Sequence, residues 1–273
     1  MYKLRSWIDI NKINWNYLSE NPNAIDFLEK DKDKINWMYL SYNPNAIHLL
    51  EKNMNKIYWT GLSLNPNAIH ILSKNMDKIN WMYLSYNPNA IQLLEKNMDK
   101  INWYWLSSNP NAMFLLEKNK DKIDWSGLSR NKNAIHILRQ NMDKIDWYEL
   151  SLNPNAIHLL EKNNNKINWD LLSYNPNAMI LLEKNMNKID WFKLSENPNA
   201  ISIISNNMDK IDWDVLSRNP SIFELDYEAL EQKCNIYKEE LMKKALHPYV
   251  ITKYLNHPDL KDKDLDYILD NCI

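Results

Sequence analysis

The stretch Trp81–Asn102, WMYLSYNPNAIQLLEKNMDKIN, decides how the chain folds, because it restarts again and again at one fixed interval. Tryptophan returns at Trp15, Trp37, Trp59, Trp81, Trp103, Trp125, Trp147, Trp169, Trp191 and Trp213. A constant period of this length marks a repeat architecture. Counting the unit from its Trp as position 1, position 22 is Asn or Asp everywhere except Tyr58. Those side chains accept hydrogen bonds from the free N–H groups of a first helical turn, which predicts a short A helix starting at each Trp. Trp at position 1 and Leu at position 4 share one side of it.

The A helix must stop before Asn-Pro, since the residue ahead of a proline is pushed out of helical space. Asn87-Pro88-Asn89-Ala90 then reads as a start signal, with Asn87 as cap and Pro88 at the first helical position. A B helix follows, with Ala90, Ile91, Leu93 and Leu94 inward and Gln92, Glu95 and Lys96 outward. Asn97 is expected to end it in the left-handed conformation, and MDKI returns the chain with Met98 and Ile101 inside. One such unit buries too little apolar surface to stand alone, so neighbours must stack. The expectation is an all-α fold: an α-solenoid of ten 22-residue helix-turn-helix repeats over residues 15–223, with an N-terminal cap at 1–14 and a C-terminal helical cap at 224–273. At about 9 to 10 Å between packed helices, ten units in line would make a rod or arc roughly 90 to 100 Å long.

Departures from the unit are few. Lys132 replaces the usual proline, Gly61 and Gly127 occupy position 3, and Ser221-Ile222-Phe223 replaces Asn-Ala-Ile where the period ends. The glycines admit two readings, drift on an exposed helix face or close approach of another chain. Beyond the repeats, residues 227–246 read as one longer helix, with two shorter ones after His247-Pro248.

Composition narrows the function. A net charge of −2 and a pI near 6.3 give no overall attraction to nucleic acid or anionic membrane. No apolar run is long enough to span a bilayer and no apolar signal core opens the chain, so a cytoplasmic location is expected. Two cysteines, Cys234 and Cys272, fit a reducing compartment. No Gly-rich phosphate loop and no spaced Ser/His/acid set occurs, so neither catalytic residues nor cofactor are assigned. His48, His70, His136 and His158 share position 12, but spaced one helix apart they lie too far from each other to hold one metal ion. The lysine that recurs at position 20 in ten registers, from Lys12 to Lys210, could track a phosphate backbone; near helix ends it can equally offset the helix dipole as part of a solvated face.

Positions 2, 3 and 6 of the A helix vary. They carry Tyr17, Tyr39, Tyr42, Tyr83, Tyr86, Tyr104 and Trp105 in the first half of the array and more polar residues in the second. Exposed aromatics on one face suit a protein interface or, alternatively, base stacking, and they could also pack between neighbouring units. A constant frame with an adjustable face predicts a non-enzymatic interaction scaffold with a protein partner; single-stranded RNA binding and a self-assembling rod are the alternatives.

The motif Trp-x-x-Leu-Ser-x-Asn-Pro-Asn-Ala-Ile-x-Leu-Leu-Glu-Lys-Asn, recurring once per unit, resembles the tandem-repeat proteins of giant DNA viruses of the mimivirus kind, and Leu225-Asp226-Tyr227-Glu228-Ala229-Leu230 resembles their ends. That resemblance implies a large paralogous family expressed in an infected host cell, and it carries over no functional residue.

Overall fold

The computed structural model describes residues 1–247, Tyr249 and Thr252. The two short helices expected after His247-Pro248 fall outside them. The described chain forms two compact bodies, one of residues 2–224 and one that begins at Leu225 and includes Met1.

The first body is an all-α solenoid with the 22-residue repeat. Each A helix starts at its Trp, as in Trp81–Tyr86, and Asn80 caps it by accepting from the N–H of Tyr83. Asn or Asp does the same in eight other units, while Tyr58 makes no side-chain cap. The B helix starts later than the proline signal predicts. Asn87 Oδ1 accepts from Asn89 N–H at 3.0 Å and folds Asn-Pro-Asn into a turn, so the helix proper is Ile91–Glu95. Asn97 also differs from expectation. No described residue has positive φ, and Asn97 ends the B helix by donating Nδ2 to the Leu93 carbonyl at 2.8 Å. A short 3-10 turn, Met98–Lys100, then delivers the buried Ile101.

The fully buried layer is Leu at position 4, Ala at 10 and Leu or Ile at 14, for example Leu84, Ala90 and Leu94, all at 0% exposure. The tryptophans are half-buried against this layer. Each indole carries the position-20 lysine ammonium of its own unit on its face, with Lys12 filling that place for Trp213, 4.2 to 5.0 Å from the ring centroid. The lysine ladder is therefore a set of cation–π contacts that fold each unit back on its own tryptophan, and Lys12 makes the same contact across the seam.

Polar side chains stitch the units together. Asn at position 7 is buried and donates Nδ2 to two carbonyls of the preceding unit; for Asn109 these are Ser85 at 3.0 Å and Asn87 at 2.9 Å. Asn at position 9 donates to the preceding unit's position-8 carbonyl, as Asn111 does to Pro88 at 2.9 Å. Ser at position 5 donates to its own Trp carbonyl and accepts the position-22 N–H that ends its unit and leads into the next A helix, as in Ser85 to Trp81 at 2.8 Å and Asn102 N to Ser85 at 3.0 Å.

These bonds continue across the two ends of the array. Asn21 donates to the carbonyls of Ser217 at 3.1 Å and Asn219 at 2.8 Å, Asn23 to Pro220 at 3.0 Å, and Asn14 N–H to Ser217 Oγ at 2.9 Å. Lys12 sits on Trp213, 4.8 Å from its centroid. The first unit thus stacks on the tenth as every unit stacks on its neighbour, and the array is a closed ring. The expected open rod or arc does not form, because its two end faces are each other's partner. Trp7 to Asn14 supply the second half of the tenth unit, whose first half ends at Ser221-Ile222-Phe223. There Ser221 Oγ takes over the ladder bond to Pro198, at 2.6 Å. Strand β1 (Tyr2–Leu4) pairs with β2 (Phe223–Leu225) and clasps the seam.

The A helices lie close to one another around the ring and the B helices are splayed, so A helices form the inner wall. Gly127 belongs to this packing: a Cβ there would stand 2.3 Å from the Tyr104 carbonyl oxygen, and one at Gly61 would stand 2.8 Å from the Tyr42 ring. Both glycines are buried, and the close approach is by the same chain's preceding repeat. In the second body the helix Tyr227–Ala245, capped by Asp226, stands where the sequence places it. No helix of the described residues is long and apolar enough to cross a membrane.

Two outcomes follow for stability. Gly127→Ala drives a methyl into backbone and should cost about 1 to 3 kcal/mol in a denaturant titration, whereas Gly61→Ala meets a movable ring and should cost less. Deleting residues 2–14 should lower the melting temperature by more than about 10 °C and raise the radius of gyration in X-ray scattering, because it opens the ring and strips half of a repeat; an unchanged radius would show that the seam is not the closure.

Candidate functional site: the lumen

With A helices inside, their off-core positions point to the ring's axis. Helix axes about 8 to 10 Å apart, ten to the circle, lie on a radius of roughly 13 to 16 Å. Subtracting half a helix diameter leaves a gap roughly 15 to 20 Å across. Position 6 of seven successive units, Tyr86, Ser108, Arg130, Leu152, Tyr174, Glu196 and Arg218, lines one cavity of about 720 Å³. Tyr148, Glu149 and Leu171 add positions 2 and 3, and Lys132 enters the lining where other units have proline.

The seven aromatics singled out from sequence are half-buried and pack largely on one another across units. Tyr17 meets Tyr39 edge-on at 5.3 Å, and Trp105 meets Tyr83, Tyr86 and Tyr104 at 6.1, 5.5 and 5.2 Å between centroids. Tyr42 lies against Tyr58 at 6.2 Å and over Gly61. Of the seven, Tyr86 lines the cavity.

The opposite arc holds charge. Arg218 Nε is 3.0 Å from Glu20 Oε2, its Nη1 3.4 Å from Glu196 Oε1, and its guanidinium 4.7 Å from the Tyr17 ring centre. It ties units nine, ten and one together on the lumen side of the seam. Burial opposes its charge, yet Glu20 and Glu196 hold Arg218 above its ordinary pKa. Burial raises Glu20 despite that neighbour. Tyr174 is pushed up to about 12 by burial and by Glu196.

A second cluster surrounds Glu149, whose side chain is 14% exposed. Its Oε1 accepts from Tyr104 Oη at 3.5 Å, and Arg130 Nη1 stands 3.9 Å from Oε2 while its guanidinium lies 5.9 Å from the Tyr86 ring centre. Oε2 is buried without a hydrogen-bond donor. Burial raises the Glu149 carboxyl, and Asp146 adds to this, against Arg130 and Tyr104.

Arg130, Glu149 and Tyr174 stand at positions that vary in sequence and Lys132 at a missing proline, but only the curvature of the array brings them into one cavity with Glu196 and Arg218. On the outer wall, His48 and His70 each meet a glutamate of the preceding unit, Glu29 and Glu51, at 2.9 and 2.8 Å. Comparison with known proteins finds no matching family model, no matching curated protein and no matching solved structure.

The raised Tyr174 gives a pH signature. Its phenol holds a proton in the folded ring that the unfolded chain, ionising near 10, has lost, so its contribution to stability is complete below pH 10 and disappears as pH rises to about 12. Tyr174→Phe should remove one late-ionising phenol from the ultraviolet difference titration and flatten the fall in stability over that window.

Proposed function

We propose that the ring is a non-enzymatic protein-interaction scaffold that holds a polypeptide partner through the A-helix residues around its lumen, in the host cytoplasm if its viral resemblance reflects origin. The observation that carries this reading is the division of labour within the unit. Asn at 7 and 9 is spent on contacts between units and Trp at 1, Ser at 5 and Lys at 20 on contacts that hold each unit together, whereas positions 2, 3 and 6 around the opening, like position 12 on the outer wall, differ from unit to unit.

RNA binding is supported less well. The lysine ammoniums lie on indole faces, and positions 2, 3 and 6 together carry Glu20, Glu149, Asp170, Glu196 and Asp214 against Arg130, Lys193 and Arg218. Five acids against three bases disfavour a phosphate chain. An end-to-end rod needs free end repeats, and the seam uses both.

A photoreactive amino acid at Leu152, facing the lumen, should crosslink a polypeptide in cells, while the same residue at His70 on the outer wall should give little. Equal adducts at both sites, or adducts with RNA at Leu152, would contradict the proposal.

A further inference from the structure

We propose that the Glu149 corner of the lumen is a seat for one cationic side chain, an alkylammonium or alkylguanidinium group, supplied by whatever segment occupies the ring. The inference rests on the lumen being the binding surface and specifies what that surface recognises.

Glu149 Oε2 is buried and has no donor. A buried carboxylate oxygen without a partner is costly and uncommon. The groups nearest it do not supply one. Tyr104 bonds the other oxygen at 3.5 Å, and Arg130 pairs with Oε2 only at 3.9 Å, beyond hydrogen-bond distance, with its guanidinium 5.9 Å from the Tyr86 ring centre. Beside this acceptor, the same cavity offers the apolar Leu152 and the ring of Tyr148, which is 55% exposed. A carboxylate next to an open aromatic face and an aliphatic wall matches a cationic head on a methylene stem. Arg130 and Lys132 line the cavity too and oppose a cation. Arg130 faces Glu149 and Tyr86, and around the whole opening, with Lys132 included, five carboxylates still outnumber four basic groups. Burial raises the Glu149 carboxyl, and Arg130 and Tyr104 do not offset it.

The probe is n-butylguanidinium, with n-butylammonium and butyrate as comparisons, titrated into the full chain while the carboxyl carbon signals of ¹³C-labelled glutamates are followed by NMR. The Glu149 signal, assigned by its loss in Glu149→Gln, should shift saturably with either cation. Its titration midpoint should move down, and affinity should fall at least tenfold in Glu149→Gln but not in Glu95→Gln on the outer wall. A melting curve for Glu149→Gln within a few degrees of the parent excludes misfolding. No shift with either cation, or tighter binding of butyrate, overturns the seat. Crosslinking from Leu152 is independent of this titration, so loss of the seat and loss of the lumen as a partner site are separately visible.

Discussion

The structure depends on a buried amide. Asn at position 7 sits at 0 to 1% exposure in all ten units, and its Nδ2 reaches two main-chain carbonyls of the unit before it. A buried carbonyl needs donors: the position-7 carbonyl takes one from the position-10 N–H, as Asn87 does from Ala90 at 3.1 Å, and the next unit's amide supplies its second lone pair. The side chain therefore fixes the distance and direction from one repeat to the next, and every further copy repeats the instruction. Leu, Ala and Leu supply the apolar mass between these links, and the lysine–tryptophan contacts hold the other rim of the unit. With A helices close and B helices apart, every step turns the same way by about 36°, a full circle shared among ten.

A ring solves the problem of the two ends. Open solenoids need specialised end repeats to hide their bare faces; here the bare faces meet, and residues from the extreme N-terminus complete the last unit. The seam adds what no other junction has, a two-stranded clasp and, on the lumen side, Arg218 between Glu20 and Glu196. Closure also changes the meaning of the variable positions. On a rod, aromatics early in the array and charges late would be two separate regions; on a ring they are opposite walls of one opening.

The helical unit, its Asn or Asp caps, its buried leucines and the position of the longer helix after the array are all legible in the sequence, because each rests on spacing within a single unit or a single helix. Curvature is not. It arises from a small difference between A-helix and B-helix separations, and no single residue type encodes that. Ser221-Ile222-Phe223 reads as decay of the motif, and only beside Trp7 to Asn14 does it become half of a repeat. The left-handed conformation common at helix ends is the natural expectation for Asn97, but an i−4 bond from its side chain competes with that geometry and prevails. Gly127 stands out in sequence as an oddity and not as a packing requirement, since its neighbour lies in the preceding repeat. The tyrosines show the remaining ambiguity: an aromatic at a helix surface looks the same in sequence whether it meets a partner or the adjacent repeat.

Whether the first unit lies beside the tenth is tested most directly by pulsed dipolar spectroscopy between spin labels on the outer wall, with the native cysteines replaced by serine. His48 and His158 are five units apart by either route, whereas Asp26 and Ser202 are eight units apart along the chain and two around a ring. Closure predicts a shorter distance for the Asp26–Ser202 pair than for the His48–His158 pair. A longer one, growing with separation along the chain, would contradict it.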